Sequence, residues 1–68
     1  MLTKQDITRS LKSYNSGAGV ICKAQIGRFL GEQKPGRRTD RITAGLTAID
    51  GKWYLVTDVA GAILRRME

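Results

Sequence analysis

Lys34, Arg37, Arg38 and Arg41 put four cations into eight residues, in the turn Lys34-Pro35-Gly36-Arg37-Arg38-Thr39-Asp40-Arg41. A guanidinium is a planar fork of N–H donors that matches the paired acceptors of a phosphate or a guanine edge, whereas an ammonium meets phosphate as a point charge. This spacing therefore offers recognition of a polyanion. The plainer reading is a solvated turn that keeps a small protein soluble. The whole chain leans toward an acidic partner: twelve Lys and Arg stand against six Asp and Glu, for a formal charge of +6 and a pI near 10.1.

Catalysis has little to work with. There is no histidine, one cysteine (Cys22) and six scattered acids, so no nucleophile–base pair or metal-ligating cluster emerges and structural zinc is excluded. Gly17-Ala18-Gly19 lacks the Lys-Ser/Thr ending of a phosphate loop. A non-enzyme working without a cofactor is expected. The lone thiol rules out an internal disulfide framework and points to a reducing compartment. No run approaches the roughly 18 apolar residues of a membrane span, and Met1-Leu2-Thr3-Lys4 opens no apolar signal core, so a cytoplasmic protein without membrane contact is expected. A chain of 68 residues hides only about 60% of the surface its unfolded form exposes, enough for one small core but not for a deep substrate cavity.

The elements that must position these cations follow from capping and periodicity. Thr3 is placed to cap a first helix to about Tyr14, its hydroxyl accepting from the backbone near Asp6, with Asp6 favourably placed in the positive first turn, Leu2 and Ile7 at staple spacing, and Ile7, Leu11 and Tyr14 on one stripe. Asn15-Ser16-Gly17 is a ready stop, with Gly17 free to turn left-handed. Val20-Ile21 suits a brief strand. Cys22 stands where a hydroxyl usually caps, with Gln25 three residues on, and opens a second helix whose stripe is Ile26, Phe29 and Leu30 and whose end is Gly31. Lys23 and Arg28 read as plain helix surface.

Ile42, Leu46 and Ile49 recur at i, i+4 and i+7 and predict a third helix from roughly Arg38 to Ala48, capped by Thr39 or by Gly36. Asp50-Gly51 is a type I′ turn signal, and Lys52-Trp53-Tyr54-Leu55-Val56 after it reads as a wing strand with Lys52 and Tyr54 on the wet side and Trp53 and Leu55 in the core. Thr57 is placed to cap a last helix with Asp58 in its first turn, Arg65 and Arg66 in its last, and Val59, Ile63 and Met67 inward. The expected fold is mainly α, about four short helices with a small β-hairpin wing.

From Val20 to Met67 the order of elements resembles the winged helix-turn-helix of excisionase and MerR-like DNA-binding proteins. Ile26-Gly27 and Leu30-Gly31 echo the small-residue and Leu-Gly positions of the first motif helix, and Asp50-Gly51-Lys52-Trp53-Tyr54-Leu55-Val56-Thr57-Asp58-Val59 echoes the wing and its return into a helix. The turn from Gly31 to Arg38 is longer than the family's three or four residues, and a helix over residues 1–16 is added to the motif core at 20–67. The resemblance implies one domain over residues 1–68 that binds double-stranded DNA, as a transcriptional regulator or excisionase-like recombination factor of a phage or other mobile element. Other proteins of a nucleoprotein complex would be further partners, and the oligomeric state stays open.

On that reading the third helix enters the major groove. Arg38 and Arg41 would meet guanine edges beside Thr43 and Thr47, Lys34 and Arg37 would touch phosphates, and Lys52 and Tyr54 would reach the neighbouring backbone. The alternative is a protein-interaction module on the same scaffold, docking an acidic partner.

Overall fold

A computed structural model describes residues 3–67, and within them the elements run α1 (Lys4–Tyr14), β1 (Val20–Cys22), α2 (Lys23–Phe29), α3 (Arg37–Thr43), β2 (Trp53–Leu55) and α4 (Val56–Arg66). The protein is mainly α with a small two-stranded antiparallel sheet, compatible with a winged helix-like fold.

Helix α1 starts as its sequence predicts. The Thr3 hydroxyl accepts from the Asp6 N–H at 3.2 Å, and the Asp6 carboxylate accepts from the Thr3 N–H at 3.0 Å. The expected staple partner Leu2 lies outside the described residues. Ile7 and Leu11 are buried against α4, but Tyr14 leaves the stripe: it is exposed and meets Phe29 edge-on, with ring centroids 5.7 Å apart. At the helix end both Ser16 and Gly17 turn left-handed, and the buried Asn15 side chain donates to the Val20 carbonyl, fastening the helix terminus to β1.

The expected Asp50-Gly51 turn forms. Both residues have positive φ, and Ile49 and Trp53 exchange N–H···O bonds of 2.6 and 3.0 Å across it. The main strand partner, however, comes from before α2: Val20 pairs with Leu55, Ile21 with Tyr54 and Cys22 with Trp53. This pairing sets the faces. Tyr54 shares the core side with fully buried Ile21, leaving Trp53 half-buried and Leu55 44% exposed, so the expected alternation is inverted by one residue.

Because β2 runs straight into α4, that helix begins at Val56, and Thr57 does not cap it. The Val56 N–H donates instead to the Gly19 carbonyl at 2.9 Å. Val56, Val59, Ala60, Ala62 and Ile63 form the central wall of the core, against which α1 and α3 pack, and Met67 is exposed. No helix among the described residues is long and apolar enough to cross a membrane.

Candidate functional site

The basic turn leads into α3, which is shorter than the periodicity predicts: Ala44 leaves the helical backbone at ψ 127° and Gly45 turns left-handed. Leu46 still packs against the core from the following loop, and Ile49 is exposed beside Trp53. The apolar spacing was met by a helix end plus a loop.

Gly36, not Thr39, is the N-cap residue, and as a glycine it has no side chain to offer. The acceptor is the carboxylate of Glu32. Its Oε1 accepts from the Gly36 N–H (3.2 Å), the Thr39 N–H (3.2 Å) and the Thr39 hydroxyl (2.8 Å), while Oε2 lies 3.4 Å from the Arg38 nitrogen. The Thr39 hydroxyl above all, followed by these amides, holds the Glu32 carboxyl below the usual carboxylate range against the opposing effect of burial.

The same residue also closes α2. The Glu32 N–H donates to the Gly27 carbonyl at 2.8 Å and the Gly31 N–H to Arg28 at 3.1 Å, the paired bonds of a Schellman end with Gly31 at φ 85°. One residue thus terminates α2 and starts α3, so the long turn has little slack. Gly27 tightens it further. A Cβ there would sit 3.2 Å from Thr39 Oγ1 and 3.3 Å from Pro35 Cα, a backbone approach that only glycine accommodates without displacement.

Thr39, Ile42 and Thr43 form the buried underside of α3. With successive residues about 100° apart round the axis, the ridge opposite that underside is Arg37, Arg41 and Ala44, with Arg38 and Asp40 on its two flanks. The sequence expectation is corrected at several points. Thr43 is 6% exposed and its hydroxyl donates to the Thr39 carbonyl at 2.9 Å, so it faces the core. Tyr54 is likewise in the core at 8% exposure. Thr47 is exposed, but lies in the loop beyond Gly45 and does not project from the helix.

Arg37 and Arg41 are the cations of the ridge itself, and both are exposed. Arg38 is exposed but lateral, its Nη1 donating to the Leu30 carbonyl at 3.1 Å. Lys34 is exposed in the turn before the helix.

Cations stand on both flanks of the ridge. On one side Lys23 lies 4.0 Å from Asp40, the one ion pair among the described residues, and shares a shallow cleft with Lys52, whose Nζ sits 5.0 Å from the Trp53 ring centroid. On the other, Arg66 of α4 lies 3.4 Å from the Arg41 carbonyl, and Arg38, Arg41 and Arg66 rim a notch of about 390 Å³ floored by Leu30, Ile42, Ile63 and Met67. Lys23 and Arg66 are missed by sequence reasoning, Arg66 because its place in a last helical turn is already explained by the macrodipole. Glu32 is missed because the donors it accepts from lie four to seven residues further on, beyond the local capping spacing. The arrangement can bind an extended polyanion along the ridge and its borders. Comparison with known proteins finds no matching family model, no matching curated protein and no matching solved structure.

Proposed function

We propose that this protein binds double-stranded DNA through α3, as a small transcriptional regulator or excisionase-like recombination factor. The observation that carries the reading is the Arg37–Arg41 ridge held outward by the buried Thr39, Ile42 and Thr43, with Lys23 and Lys52 bordering one side and Arg38 and Arg66 the other. A helix with two guanidiniums on its crest suits the floor of a major groove, and cations to either side suit the two phosphate strands. Arg37 and Arg41 address base edges in this arrangement; Lys34, Arg38, Lys52 and Arg66 address phosphates.

Titration against a random-sequence duplex tests it. With about four phosphates neutralised, the logarithm of affinity falls against log salt with a slope near −3.6, about 150-fold between 50 and 200 mM. A flat response sinks the reading. The apolar notch under Arg38, Arg41 and Arg66 favours a second reading, an acidic protein partner that inserts an apolar side chain. Under it, Arg38→Glu/Arg41→Glu abolishes partner capture, and the wild-type protein binds no duplex.

A further inference from the structure

We propose that α1 carries a second, separate duplex-binding face, so that one copy of the protein holds two DNA segments together; this rests on the reading of α3 as the first such face. Gln5, Arg9 and Lys12 lie on the side of α1 opposite buried Ile7 and Leu11. Lys4 joins them at the α4 side, its Cε 3.6 Å from where a Cβ on Gly61 would stand. Together with Thr8, Ser13 and Thr57 these side chains line an open trough of about 840 Å³. Its lining combines cations with the hydroxyls of Ser13 and Thr57, the mixture that phosphate oxygens accept from, while the Thr8 hydroxyl already donates to the Lys4 carbonyl at 2.8 Å.

The trough's cations make no close ion pair among the described residues, and Arg9 acts on the Asp6 carboxylate only through space. The one carboxylate on α1, Asp6, is turned back onto Thr3 in the capping box, and no described carboxylate pairs with Lys4, Arg9 or Lys12. Its position separates it from α3. Gly61, beside Lys4, and Arg66, beside Arg41, are about 140° apart round the α4 axis, and α1 and α3 each pack on α4 without substantial packing on one another. In a molecule of 31 × 24 × 22 Å, a straight duplex seated along α3 leaves the outer face of α1 free for another.

The experiment immobilises a biotinylated duplex on beads, loads the full chain at low salt and measures recovery of a second, fluorescent duplex, alongside single-duplex affinity in solution. The wild type captures the second duplex. Arg9→Gln/Lys12→Gln, two exposed positions, loses capture by roughly tenfold while single-duplex affinity changes by less than about threefold, since two phosphate contacts are removed from one face only. Capture that survives in this variant overturns the inference, because bridging then arises by self-association or through α3. Single-duplex binding without capture by the wild type overturns it too and leaves the α3 reading standing, as does binding of Arg9 and Lys12 to phosphatidylglycerol vesicles in place of a second duplex. Absence of any duplex binding removes both.

Discussion

The starts of α1 and α3 use one chemistry, a carboxylate accepting backbone N–H groups, and differ in where that carboxylate comes from. Asp6 lies within the first turn of the helix it caps; Glu32 belongs to the end of the preceding helix. A local cap stabilises one helix. A borrowed cap also ties two helices at a set angle, so a single carboxylate governs both whether α3 forms and how it is presented.

The contrast breaks most visibly at Glu32. Glu32→Ala lowers the thermal midpoint by about 5 °C or more, clearly beyond Asp6→Ala, and weakens duplex binding roughly tenfold as the Arg37–Arg41 ridge loses its support. Equal effects of the two substitutions in a melting experiment remove the claim that the Glu32 cap is also a tether.

Gly36 sharpens the point. A Cβ there would stand 2.7 Å from Glu32 Oε2, so Gly36→Ala pushes the carboxylate off the helix start. The loss is expected to be about 1 kcal/mol alone and close to zero when Glu32 is already alanine, as a double-mutant cycle by denaturant titration reports. Additivity of the two changes speaks against it. Thr3→Ala costs about 1 kcal/mol by the same measurement and leaves duplex binding through α3 unchanged, because α1 does not orient α3.

Acidification gives the smallest and most diagnostic effect. Glu32 is held low chiefly by the Thr39 hydroxyl and Asp6 chiefly by the Thr3 N–H, so both fold with carboxyls that titrate below their unfolded values. Their stabilisation is therefore complete above the ordinary carboxylate range and is lost as pH falls through the folded values, a window opening below the ordinary 4.5 for Glu32 and 3.8 for Asp6. Glu32→Gln flattens the melting temperature between about pH 5 and 3. A profile with the wild-type slope would leave Glu32 without a part in acid sensitivity.

Legibility in the sequence follows the range of the interaction. Thr3 with Asp6, Cys22 with Gln25, Gly31 and Asp50-Gly51 act within a few residues, and the elements they bound form where the sequence places them. Trp53, Tyr54 and Leu55 do not follow their expected faces, because a strand three residues long has too few positions to declare its phase and Ile21, more than thirty residues earlier, decides it. At the candidate site the exposure of Lys34, Arg37, Arg38, Arg41 and Lys52 is legible from charge alone. The inward turn of Thr43 is not, since a threonine whose hydroxyl bonds back to the preceding helical turn packs as an apolar residue does.

Residues 23–52, which hold α2 and α3, are bracketed by the three residue pairs that join β1 to β2. That stretch is a purse shut by its own clasp: a nascent chain cannot fasten it until Leu55 has emerged, and cut free for grafting onto another scaffold it spills open. The α2–α3 unit is consequently not portable, and a transplant that works must carry Val20 through Leu55 as one piece.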